Sequence, residues 1–82
     1  MASTMRPIDE LLAALSETEA RISRGRSLAL KLQSELIGLP PGPDRRKAIR
    51  LIQVVTETVR FHEELAAGLR EEQELLNRRL IR

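Results

Sequence analysis

The chain has no cysteine, tryptophan or tyrosine, and Phe61 is its one aromatic residue. Without thiols there is neither a disulfide framework nor a cysteine-bearing zinc site, so packing alone has to hold the fold. Long apolar runs are missing as well. The longest is five residues, Leu11 to Leu15, far below the roughly 20 that cross a bilayer as a helix. Ahead of Asp9 and Glu10 stand one arginine and no continuous apolar stretch, which is unlike a secretory signal and points to a cytoplasmic protein. Chain breakers are scarce outside one place, since three of the four prolines lie between residues 40 and 43. A glycine-rich phosphate loop, a serine, histidine and acid arrangement and a metal-ligand spacing are all absent.

What is present is charge and leucine. Of the 82 residues, 32% are charged, and leucine dominates the apolar set, a composition of long helices and coiled coils. From Ile8 onward the apolar and small residues fall on a heptad. Ile8, Leu15, Ile22, Ala29 and Leu36 form one column, and Leu11, Thr18, Gly25 and Leu32 the other. Pro7 suits a first helical turn, and Asp9 and Glu10 suit its positive end. Gly38 is expected as a left-handed cap, and Leu39-Pro40-Pro41-Gly42-Pro43 cannot continue a helix.

After the break, Asp44 is the expected N-cap of a second helix. Its seam runs through Ala48, Ile52, Val55, Val59, His62, Ala66, Leu69, Gln73, Leu76 and Leu80, again alternating three and four. A second apolar line, Leu51, Val55, Leu65 and Leu69, makes this stripe too wide for one neighbour. The expected fold is therefore all-α: an antiparallel two-helix hairpin, a short coiled coil that dimerises into a four-helix bundle. It occupies residues 1–82 as a single domain, with a flexible leader over 1–5, a helix over 6–37, a turn over 38–43 and a helix over 44–81. A domain this small buries only about 60% of its unfolded surface, so a second copy would add stability.

His62 lies on the second seam with Leu65 and Ala66 at the i+3 and i+4 positions, where a catalytic or metal-binding histidine would want a second ligand. It reads as a packing residue, and the chain as a non-enzyme that needs no cofactor, metal or small-molecule substrate. The small seam residues Thr18, Gly25 and Ala29 leave the first helix thin, and Phe61 is near level with residues 20 to 24 once the chain folds back. Phe61 is thus expected to fill that stretch, in preference to a groove where a partner helix docks. On the surface, Glu17 with Arg21 and Glu74 with Arg78 are oriented as favourable i,i+4 pairs.

Charge is unevenly placed. Residues 21–60 hold nine basic and three acidic side chains, a balance of +6, and the rest of the chain sums to −4. Folding gathers the excess toward the turn, where Arg45, Arg46, Lys47 and Arg50 form a candidate anion-binding group in the first turns of the second helix. Cations there oppose the helix dipole, so helix stability alone does not call for them. Two functions follow as expectations. The first is a protein-interaction module, an adaptor, small chaperone or assembly factor, which binds itself or an amphipathic helical partner through Leu51, Val55, Leu65, Leu69 and Leu76. The second is a small basic nucleic-acid-binding regulator that uses the turn end of a bundle dimer.

Overall fold

In the computed structural model, residues 6–80 are described; the expected leader 1–5, residues 81–82 and the Leu80 side chain lie outside the described residues. Two helices, α1 (Pro7–Ile37) and α2 (Pro43–Leu80), run antiparallel, with no strand among the described residues. At 1.5 Å per residue they are rods of about 46 and 57 Å. The chain is 61 Å along its longest axis and only 15 Å along its shortest. Its radius of gyration is 18.5 Å, whereas a compact domain of this length would have about 12 Å. Neither helix is long and apolar enough to cross a membrane.

Heptad spacing is what joins the rods. Each residue named above for the α1 seam, from Ile8 to Leu36, is buried or half-buried, as is each on the α2 seam from Ala48 to Leu76. The core consists of Leu15, Ile22, Val59 and Ala66, with Val55 and Leu69 packed against it. Thr18 is buried at no hydrogen-bond loss, because its hydroxyl donates to the Ala14 carbonyl at 2.7 Å. Among the described residues no large side chain is fully buried, and of the core residues Ala66 reaches 0% exposure. A hairpin one helix thick has no second layer to close over the seam, which explains this shallow burial.

Phe61 does not fill the thin part of α1. It is 62% exposed and stacks edge-on against His62, with ring centroids 5.6 Å apart. Val59 occupies the thin place instead: a Cβ on Gly25 would lie 2.5 Å from the Val59 Cγ2. Phe61 sits two residues, about 200°, around the helix from Val59, and so cannot share its face. The close approach accounts for a helical glycine that otherwise loses about 1 kcal/mol to alanine. Gly25→Ala gains that propensity but overpacks against a stiff β-branched side chain, at a cost of about 1–3 kcal/mol. The single variant should be less stable than the parent. In Gly25→Ala with Val59→Ala the two effects should be non-additive by about 1 kcal/mol or more in urea melts.

At the turn, Gly38 is not left-handed. It has φ −87° and ψ −5°, and the helix closes through Gly38 N–H to Glu35 carbonyl at 3.2 Å and Leu39 N–H to Leu36 carbonyl at 3.1 Å. These i to i+3 bonds tighten the last turn before Pro40. The positive φ falls on Gly42 at +154°, where the chain reverses. Asp44 is likewise not the N-cap. Pro43 takes the first helical position, Gly42 accepts the Arg46 N–H through its carbonyl at 3.1 Å, and Asp44 lies within the first turn. Proline's fixed φ suits that position and moves the start back by one residue.

Candidate interaction surface

Each flank of α2 is set by its offset from the seam. A residue that follows a seam position is rotated by about 100° to one side, and one that precedes it by the same angle to the other. Glu63 and Arg70 follow His62 and Leu69. They reach across to α1 in two ion pairs, Arg26 to Glu63 at 2.7 Å and Arg70 to Glu19 at 3.3 Å. Both pairs are solvent-exposed and worth at most about 1 kcal/mol each, but they mark this flank as the one bridged between helices. The exposed α1 residues Leu12, Leu30 and Ile37 lie on the same side, interspersed with Glu19 and Arg26.

The opposite flank is different. Leu51, Val54, Thr58, Phe61, Leu65 and Gly68 each precede a seam residue, and their spacing of three and four is a heptad of its own. Four are large apolar residues left substantially bare: Leu51 at 48%, Val54 at 54%, Phe61 at 62% and Leu65 at 42% exposure. Thr58 does not compete for outside hydrogen bonds, because its hydroxyl donates to the Val54 carbonyl at 2.8 Å. From α1 the same flank receives Leu28, also exposed, among Ala14, Arg21 and Glu35. The bare surface is thus centred on α2.

Comparison of this chain with protein-family models, curated proteins and solved structures finds no match. Function has to be read from the surface itself.

That surface is large for so small a chain. The molecule exposes 6770 Å², and a compact monomer of its mass would expose about 5000 Å². Of the five residues expected at an interface, Leu51 and Leu65 lie on the bare line. Val55 and Leu69 pack against the intrachain core, and half-buried Leu76 lies on the seam near the open end. Sequence reading missed Val54 and Phe61. Both continue the Leu51 and Leu65 line at heptad spacing, but the level and bulk of Phe61 match the thin stretch of α1 without regard to the side of α2 it lies on.

The basic residues at the turn divide in the same way. Arg45 is half-buried and donates through Nη1 to the Leu39 carbonyl at 3.1 Å, so it caps the end of the turn. Arg46, Lys47 and Arg50 are exposed and form no ion pair among the described residues. Arg45→Ala should therefore lower stability by about 1 kcal/mol in urea melts. Arg46→Ala should stay within about 0.5 kcal/mol of the parent. The two expected i,i+4 pairs are formed, Arg21 to Glu17 at 2.7 Å and Arg78 to Glu74 at 2.8 Å. Half-buried His62 touches Phe61, and among the described residues no group of three histidine or acidic side chains is placed to hold a metal.

Proposed function

We propose that this chain is a non-enzymatic interaction module of the adaptor, small-chaperone or assembly-factor kind, which binds a helical partner or its own copy through the bare flank of α2 to complete a four-helix bundle. The observation that carries this is the second heptad, Leu51, Val54, Thr58, Phe61 and Leu65, rotated by about 100° from the first. A helix at the corner of a bundle touches two neighbours at roughly that angle, and α1 supplies only one. Contiguous apolar surface of this kind marks an interaction site on a water-exposed protein.

The cations at the turn fit the same reading. Arg46, Lys47 and Arg50 near the start of α2 have an acidic counterpart in Glu71, Glu72 and Glu74 near its end. A helix docked antiparallel with a similar pattern answers both groups at once.

The test is crosslinking of the tagged chain in the cells that encode it, parent beside Leu51→Glu/Leu65→Glu. A specific partner, a second copy or another protein, should be recovered with the parent and lost with the variant, while circular dichroism shows both to be helical. Recovery of the same partner with both overturns the reading. So does steep, salt-sensitive binding of RNA or DNA by the turn end with no protein held on α2, because phosphate contacts weaken strongly as salt rises.

A further inference from the structure

We infer that the occupant of the α2 flank is a second copy of this chain, antiparallel about a two-fold axis beside Thr58 and Phe61, in the register that sets Leu51 on Gly68, Val54 on Leu65 and Thr58 on Phe61 of the other copy. This rests on the interaction-module reading and names its partner and register. Each helix of the hairpin carries one glycine in its interior, Gly25 in α1 and Gly68 in α2. Gly25 is explained within the chain, because Val59 packs onto it. Gly68 is not: a Cβ there would meet nothing within 4 Å, so the hairpin has no use for a residue that weakens its helix. Gly68 lies on the bare line, and a glycine in such a line is a hole for a large side chain from outside.

Reversing the line shows what fills it. In an antiparallel pairing the first and fourth positions of the heptad face one another, and the two-fold axis makes every pair occur twice. In the proposed register each bulky residue meets a smaller one or a matched one: leucine on glycine, valine on leucine, phenylalanine on threonine. One step further out, Lys47 reaches Glu72 and Arg50 approaches Glu71. Sliding by one heptad toward the C-terminal end would set Leu51 on the exposed Leu75 and Phe61 on Leu65, bulk against bulk, and would also set Val54 on Glu72 and leave a void between Thr58 and Gly68. Sliding the other way would set Lys47 on Leu65. A parallel pair would place Phe61 on Phe61, Gly68 on Gly68 and Lys47 on Lys47, with bulk against bulk, a void and repelled charge.

Because the chain has no cysteine, introduced thiols report pairing unambiguously. Mixed Val54→Cys and Leu65→Cys chains under mild oxidation should form the mixed disulfide at least tenfold faster than Val54→Cys with Glu72→Cys, or than Val54→Cys with itself. Sedimentation equilibrium should show the parent as a dimer. Gly68→Leu should weaken that dimer at least tenfold while leaving helicity equal or higher. A dimer that crosslinks best through Glu72→Cys or through Val54→Cys alone, or that tolerates Gly68→Leu, overturns the register and leaves the module reading intact. A parent that is monomeric at high micromolar concentration overturns the second copy as occupant; the cellular crosslinking with Leu51→Glu/Leu65→Glu then decides separately whether another protein takes its place.

Discussion

Ile22→Ala is expected to lower the melting temperature by about 10 °C or more. Ile22 sits in the seam beside Leu15, Val59 and Ala66, and truncating a buried isoleucine to alanine generally costs about 2–5 kcal/mol. The lower half of that range applies here, because a hairpin one helix thick lets water reach the cavity from either side. Even so, the whole stability of a chain this long is of the order of 4–12 kcal/mol. In a small domain each kcal/mol moves the midpoint by about 4–8 °C. Leu30→Ala is the control, since Leu30 is an exposed leucine on the same helix and its truncation should stay within about 0.5 kcal/mol. Thermal melts followed by circular dichroism measure both. Equal melting of Ile22→Ala and the parent would show that the seam does not hold the hairpin.

Leu51→Glu with Leu65→Glu is expected to give a helical monomer under conditions where the parent self-associates. In the single chain Leu51 is 48% and Leu65 42% exposed, so covering what remains of each is worth about 0.7–1.5 kcal/mol, and in a two-fold contact each substitution counts twice. Losing both therefore removes about 3–6 kcal/mol from association, or two to four orders of magnitude in Kd. Leu69 is the wrong partner for such a test, because it packs against the intrachain core; Leu69→Glu should unfold the hairpin and confound the two effects. Sedimentation equilibrium reads the mass, and concentration-dependent melting of the parent should become concentration-independent in the variant. Raising salt should loosen the parent only modestly, since screening acts on exposed charges such as Lys47 and Glu72, and the apolar line is untouched by it. Unchanged mass in the double variant would place the association elsewhere on the molecule.

What the residues determine on their own is everything that local periodicity and backbone chemistry control. Proline at 40, 41 and 43 has to break the helix, the heptad from Ile8 has to share one face, and the matching heptad from Ala48 has to meet it. Hence both helices and the seam are legible down to its polar members, Thr18, His62 and Gln73. Tertiary structure decided the rest, because those questions depend on how two surfaces meet. It placed Val59 on Gly25 and turned Phe61 outward, since two residues along a helix is half a turn. It moved the positive φ from Gly38 to Gly42 and drew Arg45 into the turn, since closing the hairpin fixes which carbonyls need a donor. It also chose the flank. A sequence can carry two overlapping heptads on one helix, but only folding shows which is spent inside the chain, and here the Arg26–Glu63 and Glu19–Arg70 pairs bridge one flank of α2 and leave Leu51, Val54, Phe61 and Leu65 bare on the other.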